Sequence, residues 1–296
     1  MIKTILVPAT GVGGDRPALD TAFLIGRRFG AHIECLHIRP TVEQMVMSAA
    51  SDGGLTGDPG AEFVTETFEA LKAVDRARSE KLRKTIESFR QQRAISSGDA
   101  LPGQRGVTFA LREVKGDEIE QTIAAARYHD LIVLGRSADA GELSVGNIGA
   151  VLIGCGRPVV LAPSPAPENL APTIVIAWKE TPEAARAVTA AMPLLAKADK
   201  IVVLVASEHG DKTDARLESG KRLAAQLRQH GFAADARDVT PGKRSFADAV
   251  IDTAGELGAD LLVMGAYGHS RIRELVLGGF TRDVLKACPM PVFLFH

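Results

Sequence analysis

A glycine-rich stretch near the end of the chain has the spacing expected of an anion-binding loop. Two residues separate Gly265 from Gly268, and nine more precede Gly278. Gly265 ends an apolar run that predicts a buried strand, and Gly278 and Gly279 precede a predicted helix. Glycine lets the backbone turn tightly beside a ligand, and N–H groups at the start of a helix can bind phosphate oxygens. The stretch therefore indicates a backbone cradle for phosphate.

Polar side chains in and near this stretch could complement a phosphate. Arg271 lies inside it, and Thr281 lies at the start of the helix that follows. Lys179 follows another predicted strand and could meet a phosphate or the neighbouring Glu180. Arginine offers a fork of donors that suits phosphate, although loop arginines are more often solvated charges than ligands.

The sequence shows no set of residues for catalysis or metal binding. We recognise no nucleophile with its base, no carboxylate pair and no metal-ligand spacing among the seven histidines. The three cysteines, Cys35, Cys155 and Cys288, lie far apart and fit neither a disulfide framework nor a zinc site. We therefore assign no catalytic residue and no metal ligand.

The composition is that of a globular protein with balanced charge. Of 296 residues, 46% are apolar, and 35 basic residues nearly balance 36 acidic ones. Nucleic acid is not expected as the main partner, because a duplex binder needs a concentrated basic surface. Pro8 stops the first apolar run far short of a signal peptide or a membrane span. We expect a cytoplasmic protein that does not enter a membrane, and the scattered cysteines suit a reducing compartment.

The chain repeats itself. Short β-branched runs begin at Thr4 and at Thr173, and each is followed by an alanine-rich helical stretch and a second strand-like run. Two later segments also recur: Asp130–Gly135 matches Asp260–Gly265, and Cys155–Leu161 matches Cys288–Leu294. We interpret this pattern as an internal duplication.

A proline-rich stretch separates the two copies. Proline lacks a backbone donor and favours an extended connector, so we place a linker at 164–172 between domains at 1–163 and 173–296. The first copy carries an insertion. Residues 51–60 have the composition of a mobile loop, and Ala61–Gln92 has charged pairs at helical spacing that predict a long helix.

Strands that alternate with helices, and that are apolar almost throughout, predict parallel sheets covered on both faces. The predicted fold class is α/β, with two doubly wound parallel-sheet domains in tandem. In such sheets ligands bind beyond the carboxyl ends of the strands. We also expect Pro158–Leu161 and Pro291–Phe295 to be edge strands that join the two halves about a pseudo-two-fold axis.

The glycine loop, the opening and closing strands and the two-copy length together resemble the universal stress protein family across most of the chain. Nucleotide-binding members carry Gly, two residues, Gly, nine residues, Gly and then Ser or Thr. The resemblance implies a tandem-domain member with an adenine nucleotide alpha hydrolase-like fold and a regulatory role in stress response. It also implies that ATP or another adenine nucleotide binds in the second domain, that Mg²⁺ enters only with the nucleotide, and that any ATPase activity is weak. The site residues would be Lys179, Gly265, Gly268, Arg271, Gly278, Gly279 and Thr281.

Several positions depart from the family pattern. Gly279 stands where the hydroxyl residue would contact phosphate. The Asp that usually ends the first strand is replaced by Thr10 in the first copy and by Lys179 in the second. In the first copy Ala138 replaces the second glycine and the loop is shorter, so we expect the first copy to bind no ATP.

Three functions remain open on this basis. The chain is a nucleotide-binding stress protein, a stress protein that acts through protein contacts without nucleotide, or an α/β enzyme with an unrecognised pocket. The glycine spacing favours the first, Gly279 and Lys179 favour the second, and the third lacks a reactive dyad. The expected partner is an adenine nucleotide, with a homodimer or a protein partner left open.

Overall fold

Strands and helices alternate along most of the chain in a computed structural model, which describes residues 1–11, 13–51, 61–97, 106–136, 145–170, 172–206, 213–266 and 279–296. The first copy consists of β1 (Thr4–Ala9), α1 (Asp15–Phe29), β2 (His32–Arg39), α2 (Val42–Ser51), α3 (Ala61–Arg93), β3 (Ser96–Ser97), β4 (Thr108–Lys115), α4 (Glu118–Ala126), β5 (Leu131–Gly135), α5 (Val145–Cys155) and β6 (Val159–Ala162). The second copy consists of β7 (Thr173–Trp178), α6 (Pro182–Leu195), β8 (Lys200–Ala206), α7 (Thr213–Gln229), β9 (Ala234–Val239), α8 (Phe246–Glu256), β10 (Leu261–Gly265), α9 (Gly279–Ala287) and β11 (Val292–Phe295).

The described strands form one sheet of 11 strands in the order β3-β4-β2-β1-β5-β6-β11-β10-β7-β8-β9. Within each copy neighbouring strands are parallel. The order β4-β2-β1-β5-β6 in the first copy is repeated as β9-β8-β7-β10-β11 in the second. The predicted α/β class and the tandem duplication are confirmed.

The two copies meet edge to edge through their last strands. β6 and β11 pair antiparallel, with Val160 opposite Phe293 at the centre of the register. Two equivalent strands that pair antiparallel are related by a local two-fold axis, so the predicted association of the closing strands is confirmed. The pairing also joins the two expected sheets into one continuous sheet, because each strand supplies the free backbone groups that the other lacks.

Helices cover both faces of this sheet. α1, α3, α6 and α7 pack on one face, and α4, α5, α8 and α9 pack on the other. Alternate residues of β7 pack against the two layers of helices. Ile174 and Ile176 lie in the core beneath α1, α3, α6 and α7, and Val175 lies in the core on the opposite face. Continuous apolar runs in the strands are therefore explained by burial on both faces.

Side-chain caps determine where several helices begin. Asp117 accepts a hydrogen bond from the N–H of Glu120 at the start of α4, and Ser245 does so from Asp248 at the start of α8. Thr181 caps α6, with Pro182 in the first helical position. These caps satisfy N–H groups that have no partner within the helix, and they start each helix soon after the strand or loop before it.

The insertion of the first copy is largely helical. The long helix predicted at Ala61–Gln92 is confirmed as α3, which has 33 residues and ends at Arg93. The expected loop at 51–60 is partly wrong, because Ser51 ends the helix α2; residues 52–60 lie outside the described residues. Between β6 and β7, residues 163–170 and 172 form neither helix nor strand, as a proline-rich connector predicts. None of the described helices is long and apolar enough to cross a membrane.

Candidate functional site

A cavity of about 660 Å³ lies at the carboxyl edge of the second copy. The ends of β7 and β8 form one side of it, and the first turns of α7, α8 and α9 complete it. Its walls include the apolar residues Ala177, Trp178, Val205, Phe246, Val250 and Phe280. The volume falls in the range of sites for small molecules and cofactors, and the position is the one where parallel α/β sheets bind ligands.

The chain's one tryptophan forms part of this wall. Trp178 is half-buried at the end of β7, and its Nε1–H donates a hydrogen bond to Oγ of Ser219 at 3.0 Å. The bond holds the indole ring between β7 and α7 and satisfies its only donor. Trp178 thus presents a fixed flat surface beside the cavity, suited to a planar ligand.

Two cations border the cavity. Lys179 directly follows β7, is exposed, and makes no ion pair with any described residue. Arg216 reaches the cavity from the first turn of α7. Glu180, which is also exposed, is the one carboxylate among the described lining residues. Two positive groups against one negative group favour an anionic ligand.

Gly265 serves the packing of the fold. It ends β10, and a Cβ atom added there would lie 2.4 Å from the backbone nitrogen of Ala184 at the start of α6. The equivalent Gly135 at the end of β5 meets the carbonyl oxygen of Gly14 at 2.3 Å in the same way. In both copies a missing side chain lets a strand end touch the beginning of a helix.

The remaining predicted residues fall into two groups. Gly279 opens α9, next to Phe280 in the cavity wall, and an added Cβ would meet no described atom within 4 Å. Thr281 is buried in the first turn of α9 and is not among the described lining residues. Gly268, Arg271 and Gly278 lie outside the described residues, as does Ala138 of the first copy. The structure thus brings Lys179 and the start of α9 to one cavity.

The corresponding edge of the first copy is covered by α3. The carbonyl oxygen of Arg78 in α3 would lie 2.3 Å from a Cβ at Gly11, where φ is +84° and only glycine fits without strain. At the end of β2, Nε of Arg39 donates to Asp75 of α3 at 3.0 Å. His37 hydrogen-bonds Ser79 of α3 through Nε2 at 2.9 Å. The chain itself therefore occupies the space above these strand ends.

The backbone N–H groups that follow β1 are also satisfied within the first copy. The buried carboxylate of Asp15, the first residue of α1, accepts hydrogen bonds from the N–H groups of Thr10 at 3.0 Å and Gly11 at 2.7 Å. A ligand carboxylate or phosphate would have to displace this side chain. The first copy is thus closed by its own acidic group as well as by α3.

Sequence reasoning missed several residues of the site. Arg216, Ser219, Phe246 and Phe280 line the cavity, but no motif marked them. Their shared signal is position, because each lies in one of the first two turns of a helix at the carboxyl edge of the sheet. Among the described residues, no group of His, Cys, Asp and Glu side chains could hold a metal ion.

Comparison with known proteins accounts for nearly the whole chain. The family model described as "Universal stress protein family" matches residues 1–154 and 172–296. Universal stress protein Slr1230 of Synechocystis sp. is 23% identical, with the alignment covering 100% of both chains.

Two solved structures show the same fold over almost the full length. A universal stress protein from Archaeoglobus fulgidus has a TM-score of 0.64 at 17% identity and covers 99% of this chain and 97% of its own. A putative universal stress protein from Pseudomonas aeruginosa has a TM-score of 0.57 at 15% identity and covers 99% of this chain and 93% of its own. The family model matches both copies, and the chain therefore belongs to the universal stress protein family as a tandem-domain member.

Proposed function

We propose that this protein binds an adenine nucleotide, with ATP as the first candidate, in the cavity of the second copy, and that binding regulates its role in stress response. The observation that carries the proposal is the cavity itself, which is bordered by Lys179 on one side and by Phe280, next to Gly279, on the other. The three free cysteines are buried, in keeping with a role in the reducing cytoplasm.

The chemistry of the cavity suits a flat ring that carries an anionic group. Trp178, Phe246 and Phe280 are aromatic, whereas aromatic residues make up 5% of the whole chain. Aromatic surfaces stack on nucleobases and contribute about 1–3 kcal/mol per base. Lys179 and Arg216 place positive charge at the cavity wall, where it would attract the phosphates. The start of α9 adds N–H groups and the positive end of a helix dipole.

The affinity is expected to be modest, because Gly279 lacks a hydroxyl group. The missing hydrogen bond corresponds to about 0.5–1.5 kcal/mol, or roughly a threefold to tenfold weaker affinity. Gly279→Ser has room for its side chain and should recover that factor. Gly268→Val, in the part of the motif beyond the described residues, should abolish binding.

The test uses the single tryptophan as a local probe. The full chain is denatured to identify any co-purified nucleotide, then titrated with ATP while Trp178 emission and binding heat are recorded. We expect saturable binding of one ATP per chain and a change in emission, because the indole borders the cavity.

Lys179→Met should weaken ATP binding. The matched control is Lys197→Met, since Lys197 is an exposed lysine of the second copy that lies after α6, away from the cavity. Absence of binding heat and of any emission change at millimolar ATP would refute the proposal. Equal weakening in both variants would show that general charge, and not this cavity, holds the ligand.

A second candidate function is action through protein contacts, either with a partner or in a homodimer. Exposed apolar side chains favour it: Val42 and Met47 of α2 are 55% and 71% exposed, and Val74 of α3 is 49% exposed. Light scattering of the full chain and of Met47→Ser tests it. Self-association that Met47→Ser reduces, together with no ATP binding, would favour this function over the first.

A further inference from the structure

One side chain of the first copy reaches the helix that borders the cavity of the second. Arg136 directly follows β5, and its Nη1 donates a hydrogen bond to the carbonyl oxygen of Cys288 at 2.6 Å. The same nitrogen lies 3.5 Å from the carbonyl oxygen of Lys286. Both carbonyl groups belong to the carboxyl end of α9.

A cation at this end of a helix has a defined effect. The last carbonyl groups of a helix have no partner within it and carry the negative end of its dipole, so a guanidinium there both satisfies and holds them. α5 of the first copy packs against α9 as well. The carboxyl end of α9 is therefore fixed from the other copy.

The opposite end of α9 borders the cavity. Phe280, the second residue of the helix, lines the cavity wall. The helix has nine residues, which corresponds to about 13 Å of rigid backbone. A shift of its carboxyl end is thus transmitted to the cavity wall.

Arg136 is poorly satisfied for a buried cation. Its Nε and Nη2 atoms are buried and have no hydrogen-bond partner in the described part of the chain. Burial lowers the pKa of its guanidinium from the ordinary value. Unpaired buried donors destabilise a protein, and an apolar side chain of similar length would avoid that cost. Stability alone does not account for an arginine at this position.

Among the described residues, the equivalent position of the second copy makes no such contact with the first. Ala266 follows β10 as Arg136 follows β5, and its methyl group, 1% exposed, cannot reach across to the first copy. The described contact therefore joins Arg136, after β5 of the first copy, to α9, which borders the cavity of the second copy.

We propose that Arg136 is a positioning residue through which the first copy sets the placement of α9 and so the ligand affinity of the second. The effect on ligand affinity rests on the proposed function, whereas the effect on α9 does not.

The test compares Arg136→Met and Arg136→Lys in the full chain. For Arg136→Met we expect faster amide hydrogen exchange in α9 and about tenfold weaker ATP binding, a typical size for coupling between sites. Its melting temperature should change little, because the substitution removes the hydrogen bond to Cys288 together with two buried donors that have no partner among the described residues. Arg136→Lys, which keeps the charge and can donate to Cys288, should recover most of the affinity. The control is Arg157→Met, since among the described residues the guanidinium of Arg157 donates only to the carbonyl oxygen of Arg127 in its own copy.

A lower melting temperature in Arg136→Met with unchanged exchange in α9 would show a merely structural role and overturn the proposal. Faster exchange with unchanged ATP affinity would also overturn it. If the wild-type chain binds no ATP, the proposed function fails. The exchange of α9 then decides by itself whether Arg136 positions the helix.

Discussion

The two copies share a strand order but differ at the carboxyl edge of the sheet. α3 and α7 join equivalent strands, and their buried residues have the same spacing. The two helices can therefore be aligned by their buried residues. This alignment matches Leu82, Ile86 and Phe89 of α3 with Gly220, Ala224 and Leu227 of α7. In the same register Arg78 matches Arg216.

The two helices also differ in length. Thr213, the first residue of α7, corresponds to Asp75, so residues 61–74 of α3 have no counterpart within α7 as the structure describes it. Gly11, two residues after β1, touches the backbone of Arg78. Glu180, two residues after β7, and Arg216 instead line the cavity. A duplicated fold thus has one edge filled by its own helix and one edge left open.

Side-chain size sets how each helix lies on the sheet. Large residues on α3 fill the space beneath it, with Phe89 between Phe23 and Phe109. Small residues on α7 let it lie close, and a Cβ at Gly220 would be 2.4 Å from Cγ2 of Val205. The two helices therefore share the spacing of their buried positions but differ in the size of the residues at them.

The largest expected effect concerns the close contact between a strand end and a helix start that both copies share. Gly265→Ala and Gly135→Ala each force a methyl group into a helix backbone, so both should lower the free energy of unfolding by more than about 4 kcal/mol or prevent folding. Urea denaturation and yield of soluble protein measure this. Gly255→Ala in α8, where an added Cβ meets nothing within 4 Å, should be neutral or stabilise by up to about 1 kcal/mol. A Gly265→Ala protein as stable as wild type would contradict the shared packing.

The second prediction separates the copies through their cores. Phe89→Ala removes a fully buried ring of α3 and should cost about 3–5 kcal/mol, whereas Leu227→Ala in α7 should cost about 2–5 kcal/mol. Only Leu227→Ala should also weaken ATP binding, because α7 lines the cavity. Thermal unfolding and ATP titration distinguish the two. If both substitutions weakened ATP binding equally, α3 and α7 would contribute alike to the ATP site.

A smaller effect is expected where α3 closes the first copy. Asp75→Ala removes the hydrogen bonds from Arg39 and should cost about 1–3 kcal/mol, with faster amide exchange in α3 and unchanged ATP affinity. Lys84→Ala removes an exposed pair with Glu80 and should cost less than about 1 kcal/mol. If both changes had the same effect, the contact with Asp75 would be no more than a surface pair.

The smallest effect concerns pH. Burial, and then the charges of Asp15 and Glu34, raise the pKa of Cys35 well above the ordinary thiol value. The folded chain keeps this proton while the unfolded chain releases it above pH of about 8.5, so stability should fall as pH rises from there. Cys35 lies opposite Val7 in the register of β1 and β2, as Val203 lies opposite Ile176 in that of β7 and β8.

Cys35→Val therefore makes the first copy resemble the second at this position. We expect the free energy of unfolding to be unchanged at pH 7. Between pH 8.5 and 9.5 it should fall less in Cys35→Val than in the wild type, by about 1 kcal/mol or less. Urea denaturation across this range provides the measurement. Identical pH slopes in the two proteins would contradict a raised pKa at Cys35.

Much of the fold could be predicted from local patterns. The apolar runs that end at Gly135 and Gly265, and the charged pairs of Ala61–Gln92, marked strands and a helix near their observed bounds. The helix α2 was missed, because its short, Met-rich sequence lies beside a segment of loop composition. The wall residues Arg216, Phe246 and Phe280 carry no motif, since their position depends on where three separate helices begin.

The sequence by itself determined the duplication, the family, the α/β class and the pairing of the closing strands, because these follow from repeated apolar runs and turn residues that act over short distances. Only the tertiary structure decided that α3 fills the first edge, that Trp178 is a wall of the second, and that Arg136 holds α9 across the junction. Those contacts join residues far apart in the chain, so they depend on packing distances that no local spacing contains.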